Sequence, residues 1–318
     1  MAAQRPEVLI SEVAPRDGLQ SIQSIMPTAH KCQWIDALVR AGLREIEVGS
    51  FVSEKLLPQM ADTGAVVAHS RQHSGLCVLA LAPNLKGAQS ALAAGVHKIT
   101  VPISASEAHS LANVRKTIAE MLNELDQIIQ TVQQHNATSG KPPVVVEVGI
   151  STAFGCTLAG RVSDTAVLTL ANKCAAIGAQ EVGLSDTTGM ANPAQIKRLF
   201  TQLHHDLGDR AGAAHLHNTR GLGLANALAA YEAGVRTFDS SQGGIGGCPY
   251  APGASGNIVT EDLIFMFEAM GVSTGVRFEQ LLKARALLEE FLPDEPLYGM
   301  TPAAGLPKGF KWPATPTT

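Results

Sequence analysis

The chain has 318 residues, 45% of them hydrophobic and 16% charged, which supplies a large core and leaves no tract polar enough to stay disordered. Its 24 Lys and Arg stand against 28 Asp and Glu without a basic block, so nucleic acid and anionic membrane lack electrostatic support and a small-molecule substrate is expected. No window reaches the roughly 18 apolar residues of a membrane span.

The N-terminal MAAQRPEVLI carries neither a long apolar run nor an Arg/Ser-rich amphipathic stretch. The five cysteines, Cys32, Cys77, Cys156, Cys174 and Cys248, lack CxxC spacing, which argues against a disulfide framework and a zinc cluster. Together these features predict a reducing, cytoplasmic compartment.

In chain order, strands begin near Val8, Glu45, Leu76, Lys98, Val144, Glu181, Gly212 and Thr237, each followed by room for a helix. Four joints share one pattern. A helical stretch ends in Gly42, Gly95, Gly178 or Gly234 and passes at once into a β-rich run, because glycine accepts the left-handed conformation that closes a helix. Eight such βα units predict a (β/α)8 TIM barrel, one domain over residues 1–318. A doubly wound open sheet competes, but it normally carries a Gly-rich nucleotide fingerprint after its first strand, and here that turn reads APRDGLQ.

The segment Lys116–His135 aligns Ile118, Met121, Leu122, Leu125, Ile128, Ile129 and Val132 on one stripe, an outer-ring helix. Helices over Ile258–Met270 and Phe278–Phe291 and a Pro/Gly-rich tail over 292–318 make a C-terminal extension, suited to covering an oligomer contact or one end of the barrel.

In such a barrel the active site gathers where the strands end. Arg16 and Asp17 follow strand one, Glu47 ends strand two, and Asp186 follows strand six. His215 and His217 stand two apart on strand seven, where alternation aims both imidazoles to one side. Plainer readings stand beside these: a surface ion pair for Arg16 and Asp17, a helix N-cap for Asp186, satisfied interior acids for Glu47 and Glu147. A carboxylate, two imidazoles and a side-chain amide on one rim make a shell suited to Mg2+ or Mn2+ more than to zinc.

The loop after strand eight, Gly243 to Asn257, holds six glycines and two prolines, a composition for covering a site rather than filling a core. Cys248 within it could donate or accept a proton. Cys156, after strand five, is assigned no role.

The motifs EVAPRDGLQ, IEVGSFVSEKLLPQMAD, LSDTTGMANP, AHLHNTRGLGLAN and GGIGGCPYAPGASGNIVTED resemble the hydroxymethylglutaryl-CoA lyase family, of the DRE-TIM metallolyase type. The resemblance implies a metal-dependent lyase that cleaves a 3-hydroxy-3-methylglutaryl-CoA-like substrate to acetyl-CoA and acetoacetate (retro-Claisen), with a place in leucine catabolism. It implies Asp17, His215, His217 and Asn257 as ligands of the cation, and Arg16 as stabiliser of the acyl-CoA enolate. Cys248 would transfer a proton, Glu47 and Asp186 would support the hydroxyl-bearing carbon, and Arg16, Gln20 and Ser50 would contact substrate.

A homo-oligomer, a dimer first, is the expected assembly. Asn218, where family members usually carry His-x-His-Asp-Thr, and SIQSIMP after DGLQ depart from the family pattern and bear on the substrate rather than the metal. Alternatives are a lyase for a related 3-hydroxy acyl-CoA such as citramalyl-CoA, an acetyl-CoA-dependent condensing synthase, and a non-catalytic CoA- or metal-binding barrel.

Overall fold

The computed structural model describes residues 6–246, 256–310 and 312. Eight strands, β1 (Leu9–Glu12), β2 (Glu45–Ser50), β3 (Cys77–Leu81), β4 (Lys98–Ser104), β5 (Val145–Ser151), β6 (Glu181–Ser185), β7 (Ala211–His215) and β8 (Thr237–Ser240), pair in parallel in sequence order. The cylinder closes where β1 meets β8, with Ser11 opposite Asp239. The fold is therefore a TIM barrel.

The helices are α1 (Thr28–Ala41), α2 (Thr63–Ser70), α3 (Leu85–Ala94), α4 (Glu107–Val114), α5 (Ile118–Thr138), α6 (Asp164–Ile177), α7 (Pro193–Leu207), α8 (Gly223–Glu232), α9 (Thr260–Ala269), α10 (Phe278–Phe291) and α11 (Met300–Ala304). Helix α5 starts two residues after Lys116 because Thr117 and Glu120 cap each other's backbone amides in a capping box. Helix α9 starts at Thr260 rather than Ile258, since Ile258 donates its amide to Leu216 and Val259 bridges Ser241. It packs against α8 and β1 in the place of the eighth unit's own helix, while α10 lies on α1.

Gly42, Gly95, Gly178 and Gly234 all have positive φ. At Gly42 a side chain is also excluded by space, since a Cβ would lie 2.5 Å from the carbonyl oxygen of Gly275.

Alternation along the strands sorts the barrel into two layers. Ile10, Ile46, Val78, Ile99, Val146, Val182, Ala214 and Phe238 point outward and are buried under the helices. Ser11, Glu47, Thr100, Glu147, Ser185, His215 and Asp239 point inward and line a cavity of about 600 Å³. Gly149, Gly183 and Ala213 line it too, and their small size leaves room where other barrels place bulky branched side chains.

Deeper in the barrel, Lys98 lies 2.7 Å from Glu181, 3.1 Å from Glu45 and 3.7 Å from Glu147. Burial works against its charge, but the three carboxylates hold its pKa above the usual lysine value, so it stays charged and offsets part of an acidic interior. Glu147 faces the cavity with Lys98 3.7 Å away, and burial raises its pKa well above the usual carboxylate value.

Candidate active site

The first turn after β1, Ala14–Gly18, is a π-helical turn that turns Arg16 and Asp17 back over the barrel mouth. Both are largely enclosed rather than a surface pair, with side chains 9% and 15% exposed. The Arg16 guanidinium reaches Glu47 Oε2 with Nε and Nη2, each at 2.5 Å, and Asp17 Oδ1 with Nη1 at 2.6 Å. Gln20 donates to the same Asp17 oxygen at 3.0 Å. Two acids from different elements thereby fix one planar cation in a single orientation.

Strand β7 ends at His215, and His217 lies beyond it, bridged in antiparallel fashion to Asn257. The two imidazoles nevertheless converge, with their Nε2 atoms 3.3 Å apart. Asp17 Oδ2 lies 3.7 Å from His215 Nε2 and accepts a 2.7 Å hydrogen bond from the Asn257 amide. Side chains from the β1 turn, β7, its extension and the segment after the β8 loop therefore meet at one point.

Asn257 is held there by backbone pairing on both sides, Asn218 N to Gly256 O at 3.2 Å and Ile258 N to Leu216 O at 3.0 Å. Its Oδ1, buried, has no hydrogen-bond partner among the described residues.

The electrostatics favour a cation at this point. Burial alone would raise the Asp17 pKa, but the charges of Arg16, His215 and His217 hold it well below the usual carboxylate range. Burial, with His215 beside it, pushes His217 down to about 4, so its ring is neutral and free to donate a lone pair. Burial opposes charge on His215 as well, yet its hydrogen bond to Asp239 and the nearby acids raise its pKa above the usual value.

A carboxylate, two imidazoles and an amide with an orphaned oxygen form a mixed nitrogen and oxygen donor set, and Asp17, His215 and His217 present ligand atoms all within 4.8 Å of one another. Neighbouring donors on an octahedral ion at about 2.1 Å are roughly 3 Å apart, close to the separation of the two imidazoles. The residues fit a hexacoordinate divalent metal.

The remaining expected residues fall in two places. Gln20, Glu47 and Ser50 line the cavity, and Glu47 Oε1 and Ser50 Oγ are buried there without partners among the described residues. Asp186 does not line it. Its Oδ1 accepts the amides of Met190 at 2.8 Å and Ala191 at 3.1 Å, so it braces the loop after β6, while Asn192 caps α7 in its stead. Burial raises Asp186 to about 7, against those two amides, and its Oδ2 has no partner among the described residues. Cys248 lies outside the described residues, and Cys32, Cys77, Cys156 and Cys174 are free thiols.

Asp239, on β8, escapes a reading of the sequence. Its Oδ2 lies 3.0 Å from His215 Nδ1, and the two are register partners across β7 and β8. A carboxylate only accepts, so Nδ1 carries the proton and Nε2 is left to face Asp17 and His217.

Residues 7–288 match the family described as HMGL-like. A hydroxymethylglutaryl-CoA lyase from mitochondria of Rattus norvegicus is 41% identical over 277 residues, 87% of this chain and 83% of that protein. An (R)-citramalyl-CoA lyase from Chloroflexus aurantiacus is 38% identical over 308 residues, 94% of this chain and 95% of that protein. The structure of an HMG-CoA lyase from Acinetobacter baumannii in complex with coenzyme A and 3-methylmalate superposes with a TM-score of 0.89 at 38% identity, covering 98% of this chain and 99% of that one.

Proposed function

The chain belongs to the HMGL-like family, and we propose from that premise that it cleaves a 3-hydroxy-3-methylglutaryl-CoA-like thioester to acetyl-CoA and acetoacetate. It is a hydroxymethylglutaryl-CoA lyase-like enzyme. The observation that carries the reading is Asp17, His215, His217 and Asn257 gathered beside a rigidly held Arg16 at the mouth of the cavity.

A divalent cation, Mg2+ or Mn2+, would be held by those four residues and supplies a Lewis acid that acidifies the substrate's tertiary hydroxyl. Asp186, at about 7 and next in sequence to the cavity-lining Ser185 and Thr187, is the base assigned to the hydroxyl proton near neutrality. As the bond between C2 and C3 breaks, its electron pair passes to C2 and the thioester oxygen, and C3 becomes the ketone of acetoacetate. Arg16, immobilised by Glu47 and Asp17, is a fixed cation for the oxygen on which that charge collects.

Ser50 Oγ and Glu47 Oε1, buried on the cavity wall without partners among the described residues, orient the polar end of the substrate. Cys248 returns a proton to C2 from the loop after β8, completing acetyl-CoA.

A second reading within the same chemistry rests on the citramalyl-CoA lyase relative, which spans 94% of this chain. There the carboxylate sits directly on the hydroxyl-bearing carbon, so the released keto acid is pyruvate. We further infer a cytoplasmic enzyme that works as a homodimer.

The test incubates the purified protein with each thioester, with Mg2+ or Mn2+ or with chelator, and identifies the keto acid. Metal-dependent release of acetyl-CoA with acetoacetate supports the first reading and release with pyruvate the second. Cleavage of neither, or cleavage indifferent to chelator, overturns the proposal.

A further inference from the structure

On the outer face of the barrel, away from the cavity, a second set of metal-ligating side chains converges. Asp36 projects from α1, His69 from the last turn of α2, and His73 from the turn that continues that helix by one revolution. His69 Nε2 lies 2.7 Å and His73 Nε2 2.6 Å from the same oxygen, Asp36 Oδ1. The rings meet edge to face with centroids 5.8 Å apart. The last turn of α2 and the turn that follows it thus present a pair of nitrogens to a single carboxylate on α1.

We propose that Asp36, His69 and His73 form a second divalent-cation site, of the class that takes Zn2+ in preference to Mg2+. Three features support it. All three ligand atoms lie within 4.8 Å of one another, and an ion about 2.1 Å from each would separate them by roughly 3.4 Å in tetrahedral geometry. The two contacts to Asp36 Oδ1 would therefore widen by about 0.7 to 0.8 Å, a change that rotation of a carboxylate and two rings supplies.

Among the described residues the ion pairs of Asp36 are those to the two imidazoles, and no Lys or Arg pairs with it, so its carboxylate is committed to this cluster. The side chains also keep 29%, 31% and 27% of their surface exposed, which leaves an entry path and a fourth position for water. Three protein donors, two of them imidazole nitrogens, with one position left for water make the four-coordinate set that suits zinc, whereas the mouth offers a fourth protein donor to a six-coordinate ion. Bound there, the ion ties α1 to α2 and stabilises the folded chain in proportion to its occupancy.

The site is independent of the reaction, and its test counts ions rather than turnover. Chelator-stripped protein is dialysed against micromolar Zn2+ and its bound metal measured. Wild type is expected to hold two equivalents, the His69→Ala/His73→Ala double variant one, and the His217→Ala variant one. Asp36→Asn should weaken the outer site at least tenfold.

A folded double variant that binds as much Zn2+ as wild type overturns the proposal. Should that variant fail to fold, zinc-edge anomalous scattering from wild-type crystals decides, a peak beside Asp36 Oδ1 supporting the site and its absence refuting it.

Discussion

Asp239 holds His215 by its Nδ1 at 3.0 Å, so strand eight sets the direction of a ring that belongs to strand seven. Such an outer carboxylate fixes the tautomer of a ligating histidine and raises its basicity. Asp239→Asn should weaken Mn2+ binding by about 10- to 100-fold. An isothermal titration of stripped enzyme reads this directly, and an affinity equal to wild type would show the contact to be idle.

Arg16 grips two acids with one planar group, which a lysine cannot do. Arg16→Lys should therefore lower kcat by about 10²- to 10³-fold while Mn2+ affinity stays within a few-fold. Steady-state kinetics beside metal titration separates the two quantities. Loss of metal binding with kcat preserved would reverse the roles given to Arg16 and its neighbour.

Gly256 lies where the backbone closes tightly upon itself, since a Cβ there would stand 1.8 Å from Gly244 O and 2.4 Å from Gly246 O. Gly256→Ala must push this backbone segment aside and carry Asn257 with it. The expected result is a lower melting temperature and at least tenfold weaker metal binding. Gly64→Ala, which meets nothing within 4 Å, should leave metal affinity unchanged.

Glu12 is fully buried, and its carboxyl accepts the amides of Ala14 and Gln242, each at 2.9 Å, and the hydroxyl of Thr260 at 2.8 Å. Burial nevertheless dominates and raises its pKa from 4.5 to about 8. A raised folded pKa means that the native state holds the proton more tightly than the unfolded chain. Its stabilising contribution is complete below the unfolded value of 4.5 and is lost as pH rises through about 8. Glu12→Gln mimics the protonated form, so its melting temperature should fall less steeply than that of wild type between pH 5 and 8. Parallel melting profiles would refute the assignment.

The architecture was legible because two local signals repeat: outward apolar residues at every second strand position, and a glycine where each of four helices turns into a strand. Strand starts consequently fell within about a residue of the observed ones. The polar side chains at strand ends were legible for a related reason, since a barrel offers them little else to do.

Asp239 and Lys98 were not legible, because each acquires meaning from a partner on another strand and the register between strands is written in no local pattern. Asp186 preceded a helix and resembled its cap, but the loop amides of Met190 and Ala191 claimed it and left capping to Asn192. His217 looked like a strand residue, yet its direction comes from the bridge to Asn257, 40 positions along the chain.

The donors at the mouth come from β7, from the turn after β1 and from the segment after β8, on either side of the seam where the first strand meets the last. Asp17 and Asn257, in hydrogen-bonding contact, are 240 residues apart in the chain. No half-barrel fragment contains both Asp17 and Asn257, and a nascent chain has synthesised nearly all of its staves before the first of them finds its last neighbour. An ion held there as proposed would therefore be captured among the latest events in the molecule's assembly, as a clasp on a cylinder that has already shut.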